Sequence, residues 1–331
     1  MNIRTIEPHE LDGWLALSGT RDDGSESDIR SAWTDGSSGP ERTFLAQDGA
    51  RERGRLALVS APAASSTPDF EEARIVGLWL PWEDSEAVDI GTALLRTAVE
   101  RLRPPVRSVE GWANPALMPG NDVRRAVFAK AGLPLFQEKE GVTWSAREPD
   151  PAPSRAHLRS SYSSVAEVGR EPFLDILART VAATLDRQDR YYSRLMGTAG
   201  WAHEMLGYLT DEDAATWLLA TDAVGAAVGY VLLGDFDEPG TGTIIHLGVV
   251  PEARGRGIGG ALLAEANTAA RRRGFERVLS DADVENRPML TAFERAGHHA
   301  AATPWHVWHH RLDLPAGPST TATHGARDVM E

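Results

Sequence analysis

Residues 249–263, Val-Val-Pro-Glu-Ala-Arg-Gly-Arg-Gly-Ile-Gly-Gly-Ala-Leu-Leu, join an apolar strand to an apolar helix through a loop built largely of Arg and Gly. The hydrophobic pattern predicts the strand over 243–250 and the helix over 258–273. Glycine at such a junction lets the backbone turn tightly and approach a ligand with no Cβ in the way. The first N–H groups of the new helix lack intrahelical partners and sit at the positive end of its dipole. Such an end binds phosphate, and Arg254 and Arg256 add positive charge. The segment reads as a pyrophosphate cradle.

Two other cradles compete with this reading. Gly255-x-Gly257-x-x-Gly260 fits the dinucleotide fingerprint, and Asp281 and Asp283 fall about 20 residues on, where a ribose-binding acid is expected. In that fingerprint, however, the first Gly ends the strand directly, whereas here Pro251-Glu252-Ala253-Arg254 intervene. A P-loop needs Gly-Lys-Ser/Thr, which does not occur.

The arrangement resembles the coenzyme A loop of the GNAT superfamily of acyltransferases. The pattern Arg/Gln-x-x-Gly-x-Gly/Ala is met by Arg254, Gly257 and Gly259. Leu247-Gly248-Val249-Val250-Pro251 is similar to the family's fourth strand, and Asn286 with Phe293-x-x-x-Gly297 to its next strand end and following helix. The resemblance implies acetyl-CoA or another acyl-CoA as co-substrate. Gly248, Val249, Val250, Arg254, Gly255, Arg256, Gly257, Ile258, Gly259, Gly260 and Ala261 would hold it, with Asn286, Met289 and Phe293 from the following helix. It implies direct acyl transfer to a nucleophile, usually an amine; an amine of a small molecule is the expected acceptor, with a protein terminus as the alternative. The backbone N–H of Val249 would be the oxyanion donor, and Gly248 and Val250 would bind the pantetheine arm like an added strand.

The acid and base are less regular. The family often has Tyr in the last helix, where this chain has Phe293, and an acid or His on the fourth strand, where it has Ile245 and Thr243. That leaves His246 and Asp283 as candidates to relay the amine proton. Strand alternation sends His246 to the face opposite Ile245 unless a bulge intervenes. Asp186, Tyr191 and Tyr192 near the first helices, and Trp305 and His306 near the end, are expected around the acceptor pocket; core packing is the competing reading for the aromatic residues.

The chain contains its motif twice. Ile258-Gly259-Gly260-Ala261-Leu262-Leu263 is echoed by Ile90-Gly91-Thr92-Ala93-Leu94-Leu95, and Phe293-Glu294-Arg295-Ala296-Gly297 by Phe128-Ala129-Lys130-Ala131-Gly132, at offsets of 168 and 165. Asn114 is the expected partner of Asn286. Two tandem GNAT-like domains follow, each a mixed α/β unit with a mostly antiparallel sheet flanked by helices: residues 1–147 and 156–314. A Pro-rich linker, 148–155, joins them, and a Pro/Ser/Thr/Gly-rich tail over 315–331 is expected to be disordered. Each half is expected to close its own sheet, the first with a strand pair over 134–147 and the second with a strand over 305–312. Four carboxylates, Glu83, Asp84, Glu86 and Asp89, stand where the second copy has its Arg-Gly loop. The first half is thus a degenerate support, or a second, non-reacting CoA site formed by Leu80, Ile90, Gly91, Thr92, Ala93 and Asn114.

Composition bounds the rest. A formal net charge of −14, from 34 basic and 48 acidic residues, argues against nucleic acid and anionic membrane as partners. The absence of Cys excludes a disulfide framework, a thiol nucleophile and a zinc–cysteine site. The His pairs 298–299 and 309–310 are not read as a metal site, because adjacent side chains point apart. The apolar stretch 217–234 contains Asp222 and Gly225 and reads as two strands around a turn, not a membrane span. The N-terminus does not read as a signal peptide, and a cytoplasmic protein is expected. A non-catalytic acyl-CoA-binding sensor or scaffold is the competing function, supported by the missing Tyr and strand acid.

Overall fold

The computed structural model describes residues 1–17, 26–61, 71–102, 106–115, 118–149, 151, 160–236, 238–301 and 303–311. Most of the expected linker and all of the tail lie outside them. The first half runs β1 (Asn2–Thr5), α1 (Leu11–Ala16), α2 (Glu26–Asp35), β2 (Thr43–Asp48), β3 (Arg51–Ala61), β4 (Glu71–Trp79), α3 (Ala87–Arg101), β5 (Val106–Ala113), α4 (Asn121–Ala131) and β6 (Leu135–Ser145). The second runs β7 (Ser161–Ser164), α5 (Val165–Val168), α6 (Glu171–Val181), α7 (Arg187–Gly207), β8 (Trp217–Thr221), β9 (Ala227–Asp235), β10 (Thr241–Val249), α8 (Ile258–Arg273), β11 (Arg277–Asp283), α9 (Arg287–Arg295), β12 (His299–Ala300) and β13 (Trp305–Arg311).

Local chemistry accounts for the elements nearest the site. β9 reads Val-Gly-Tyr-Val-Leu-Leu because it is covered on both faces, by α8 and by α6, so both faces are apolar. α6 buries Phe173, Ile176, Leu177, Thr180 and Val181 on one stripe at helical spacing. It ends at Val181, and Asp186 caps the next helix: its side chain accepts from the amides of Gln188 and Asp189. Hence α7 begins at Arg187. α8 is bracketed by left-handed glycines, Gly257 at its start and Gly274 at its end.

The fold class is the expected mixed α/β one, with a mostly antiparallel sheet. β4–β5 and β10–β11 are its parallel pairs among the described residues. The closure of the halves differs from the expectation. All strands lie in one sheet of order β1-β2-β3-β4-β5-β13-β6-β11-β10-β9-β8-β7, with β12 also on β6. Residues 135–145 form one strand, not a pair, and it lies against β11 of the second half. β13 lies between β5 and β6. The two halves therefore exchange their closing strands. The side chains show why: Val142 and Trp144 of β6 enter the second half's core, and Trp308 of β13 enters the first half's core beside Phe128.

Candidate active site

β10 and β11 are paired only from Thr241 to Thr243 and then diverge, opening a wedge in the sheet. A bulge between Ile244 and His246 shifts the register of β10 against β9 at the same point. Beyond the bulge the amide of Val250 donates to Val228 O, so alternation turns the amides of Leu247 and Val249 toward the wedge. Gly248 and Val250, expected as pantetheine partners, face β9 with their amides, and Val250 is fully buried. Gly248 has another use: a Cβ there would sit 2.8–2.9 Å from the Tyr230 ring, so glycine is what admits Tyr230.

The wedge opens into a cavity of about 1230 Å³. One end is lined by Leu247, Val249, Gly257, Ile258, Gly259, Gly260, Asn286, Met289 and Phe293, whereas Val250 and Ala261 are buried away from it. Gly257 has φ +82° and no side chain caps the helix, so the amides of its first turn are open toward the cavity. Arg254 and Arg256, expected to meet the phosphates, are engaged by main-chain carbonyls. Arg254 donates to Val249 O (3.0 Å) and Ala183 O (2.7 Å), and Arg256 to Glu252 O (2.7 Å), so both hold the loop in shape. The groups open toward the cavity at this end are therefore backbone amides at the helix start. Gly257→Glu forces a side chain into left-handed backbone, at about 1–2 kcal/mol, and puts a carboxylate beside an anion site. The expected result is a loss of acetyl-CoA affinity of about 100-fold or more by calorimetry, with far-UV circular dichroism retained. Unchanged affinity would show that the anion sits elsewhere.

The other end of the cavity is lined by Asp186, Asp189, Tyr192, His246 and Trp305, together with Arg74, Trp112, Asn114 and Lys139 from the first half. The bulge brings His246 to this wall. Its Nε2 lies 3.0 Å from Asp189 Oδ2 and its Nδ1 2.8 Å from the Tyr230 hydroxyl, while Trp201 meets the ring edge-on. Burial lowers the basicity of His246, but the Asp189 charge and hydrogen bond outweigh it, and the imidazole is raised above its ordinary 6.5. Burial would raise Asp189, yet His246 holds it below its ordinary value. Asp186 is pushed up by burial and by the charge of Asp189. Lys139 is paired with Asp281 at 2.9 Å.

Other expected residues fall outside the cavity. Asp283 is 2% exposed and accepts from Gln137 Nε2 (3.0 Å), Arg187 N (3.2 Å) and Glu285 N (2.8 Å), a structural carboxylate with no free face. His306 is buried, and burial lowers its basicity. Tyr191 packs edge-on against Phe136 and His309, the core reading. Sequence reasoning missed Asp189 and Tyr230. A signal for Asp189 existed: Asp186-Arg187-Gln188-Asp189 has the cap-and-N3 acid spacing of a helix start.

The first half's wedge is filled. A Cβ on Gly91 would lie 2.6 Å from Val127 and 2.7 Å from Leu80, and Ile90 and Leu80 are core residues. Thr92 donates to Val88 O within its own helix. Arg124, fully buried over the Trp82 ring, donates to Leu78 O (2.8 Å) and Pro119 O (2.8 Å). Leu80 and Val127 thus close over Gly91, where the second half leaves Gly259 open, and this weighs against a second CoA site at Leu80, Ile90, Gly91, Thr92 and Ala93. Asn114 belongs to the central cavity, and Asn121, at the constant offset of 165, is the residue matching Asn286.

Comparison with known proteins agrees with this geometry. Residues 182–298 match the acetyltransferase (GNAT) family. Mycothiol acetyltransferase of Salinispora arenicola is 29% identical over 222 residues, 63% of this chain and 64% of that protein. Mycothiol acetyltransferase of Salinispora tropica is 37% identical over 89 residues, 26% of this chain and 29% of that protein. The chain thus spans less than two thirds of the length of each. A GCN5-related N-acetyltransferase from Sphaerobacter thermophilus superposes with a TM-score of 0.61 at 18% identity, over 95% of this chain and 96% of that one. A tandem GNAT protein from the clavulanic acid biosynthesis pathway does so with a TM-score of 0.53 at 16% identity, over 95% and 99%. At these identities the likeness is one of fold. Among the described residues no helix is long and apolar enough to cross a membrane, and no group of three or more His, Asp or Glu could hold a metal ion.

Proposed function

We propose, from the premise that the chain carries a GNAT-family domain over residues 182–298, that it transfers an acetyl or related acyl group from CoA to an amine of a small molecule, in the second half. The observation that carries this reading is the continuous cavity. It joins the open start of α8, the free amides of the wedge and the Asp189–His246 pair. The fit to acyl-CoA rests on the same features: the first-turn amides meet the pyrophosphate, and the amides of Leu247 and Val249 meet the pantetheine arm like an added strand.

The residues have separable tasks. The Val249 amide donates to the thioester oxygen as negative charge develops there. Asp186 and Asp189 favour a cationic amine at the far end. Asp189 accepts from His246 Nε2, which leaves Nδ1 of the neutral ring as the basic nitrogen, receiving the Tyr230 hydroxyl. When the pair takes the amine's proton, Tyr230 turns its hydroxyl from donor to acceptor and the imidazolium is held by Asp189. Tyr230 itself stays protonated, since burial pushes its hydroxyl well up. The freed amine attacks the thioester carbon, the C–S bond breaks, and the proton held by the pair passes to the CoA thiolate.

The test is release of CoA thiol from acetyl-CoA across a panel of amines, read with a thiol reagent. The chain has no Cys, so the protein contributes no background. Amine-dependent release is expected. Tight acetyl-CoA binding with no release for any amine would overturn the reading in favour of a CoA-binding scaffold.

A further inference from the structure

Arg74, on β4 of the first half, lines the acceptor end of the cavity. Its neighbours leave its donors unused. The nearest carboxylate is Glu110, 3.6 Å from Nε, too far for a hydrogen bond. Both Glu110 oxygens already accept, from Trp112 Nε1 (2.7 Å) and Gln188 Nε2 (3.2 Å). The Arg74 Nε is buried without a hydrogen-bond partner among the described residues. The guanidinium is centred 5.8 Å from the Trp112 ring, and Trp112 in turn packs against Trp305 at 5.6 Å. Other arginines of this fold behave differently: Arg124 and Arg254 spend their donors on main-chain carbonyls. The second cation on this wall, Lys139, is committed to Asp281. The pocket therefore has, on the first-half wall, a guanidinium that is ion-paired with Glu110 but keeps hydrogen-bond donors unspent, and the carboxylates of Asp186 and Asp189 on the opposite one.

That polarity selects the acceptor. We propose that the acceptor is an amine that also carries a carboxylate, with the amine at Asp189 and His246 and the carboxylate on the Arg74 guanidinium, its carbon skeleton lying along Trp112 and Trp305. The inference rests on the acyl-transfer reading of this cavity. A carboxylate matches the fork of donors that guanidinium presents. The first half then contributes to acceptor recognition, although its own CoA wedge is filled.

The experiment pairs amino acids with their amides as acceptors, for example phenylalanine with phenylalaninamide and β-alanine with β-alaninamide, and compares wild type, Arg74→Lys and Arg74→Gln. The wild type is expected to prefer the acid of each pair by about tenfold or more in kcat/KM, chiefly through KM. Arg74→Gln is expected to bring that ratio near one, and Arg74→Lys to retain part of it. Acetyl-CoA affinity measured by calorimetry, which depends on the second half's loop, reports that the variants are folded. A wild-type ratio near one, or a ratio that survives Arg74→Gln, overturns the proposal. Calorimetric binding of N-acetylated amino acids and their amides to the CoA complex reads the same subsite without turnover. Acid-selective binding lost in Arg74→Gln, with no acyl transfer to any amine, would sink the transferase reading and leave the subsite standing; binding without acid preference would sink the subsite.

Discussion

His246→Gln is expected to lower kcat for amine acetylation by about 10²–10⁴ while leaving acetyl-CoA affinity within a few-fold, because the substitution removes the proton acceptor but not the cradle. The wild-type rate should rise with pH through the imidazole's raised pKa, since only the neutral ring accepts the amine proton. Asp189→Asn removes the charge that raises His246 and leaves burial, which lowers it. The acid limb of kcat/KM should therefore move to lower pH, with a reduced plateau from lost orientation. Stability runs the other way. A histidine whose folded pKa is raised contributes stability that is present below its unfolded value and lost as pH rises through the folded value. Rate and resistance to denaturant should thus diverge with pH in the wild type, and that divergence should shrink in Asp189→Asn. A pH profile identical in both proteins would remove His246 from the proton path.

What the sequence reveals here follows the range of the interactions involved. The cradle was legible because its cause is local: a strand, left-handed glycines and a helix start all lie between 243 and 263. The bounds of α8 and β11 follow from the same local patterning. The placement of His246 was not legible, since alternation assigns it one face and a bulge of one residue assigns it the other. Asp189 was hidden because Asp186 reads as a pocket residue and not as the cap of the helix that carries Asp189. Asp283 drew notice as a carboxylate at a strand end, yet Gln137, 146 residues away, consumes it. The filled wedge of the first half was readable in part: at the offset of 165, Arg124 stands where the second half has Met289, a cation exchanged for a flexible apolar side chain. Arg74 gave no signal, because its significance lies in the hydrogen bonds its neighbours make with one another.

Trp308→Ala is expected to destabilise the first half by about 3–5 kcal/mol, although the residue lies near the far end of the chain. Trp308 is 9% exposed and packs in the core made by α3, α4 and strands β2 to β5, 6.1 Å from Phe128. Closing strands of similar character, β6 with Val142 and Trp144 and β13 with Val307 and Trp308, satisfy either half's local pattern, so patterning alone favours each half closing on its own strand. The exchange instead makes one continuous sheet. β5 has β13 as its neighbour and β11 has β6, so each half's core is completed by a strand the chain reaches through the other half. Hydrogen exchange separates the two arrangements. With exchanged strands, Trp308→Ala should accelerate exchange of the α3, α4 and β5 amides most, and Trp144→Ala those of β8 to β11. Acceleration by Trp308→Ala confined to β8–β11 would mean that β13 closes its own half. The acceptor wall holding Arg74 and Trp112 is part of the sheet that β13 completes, so a loosened first half should also raise the KM for the acceptor before it affects that for acetyl-CoA.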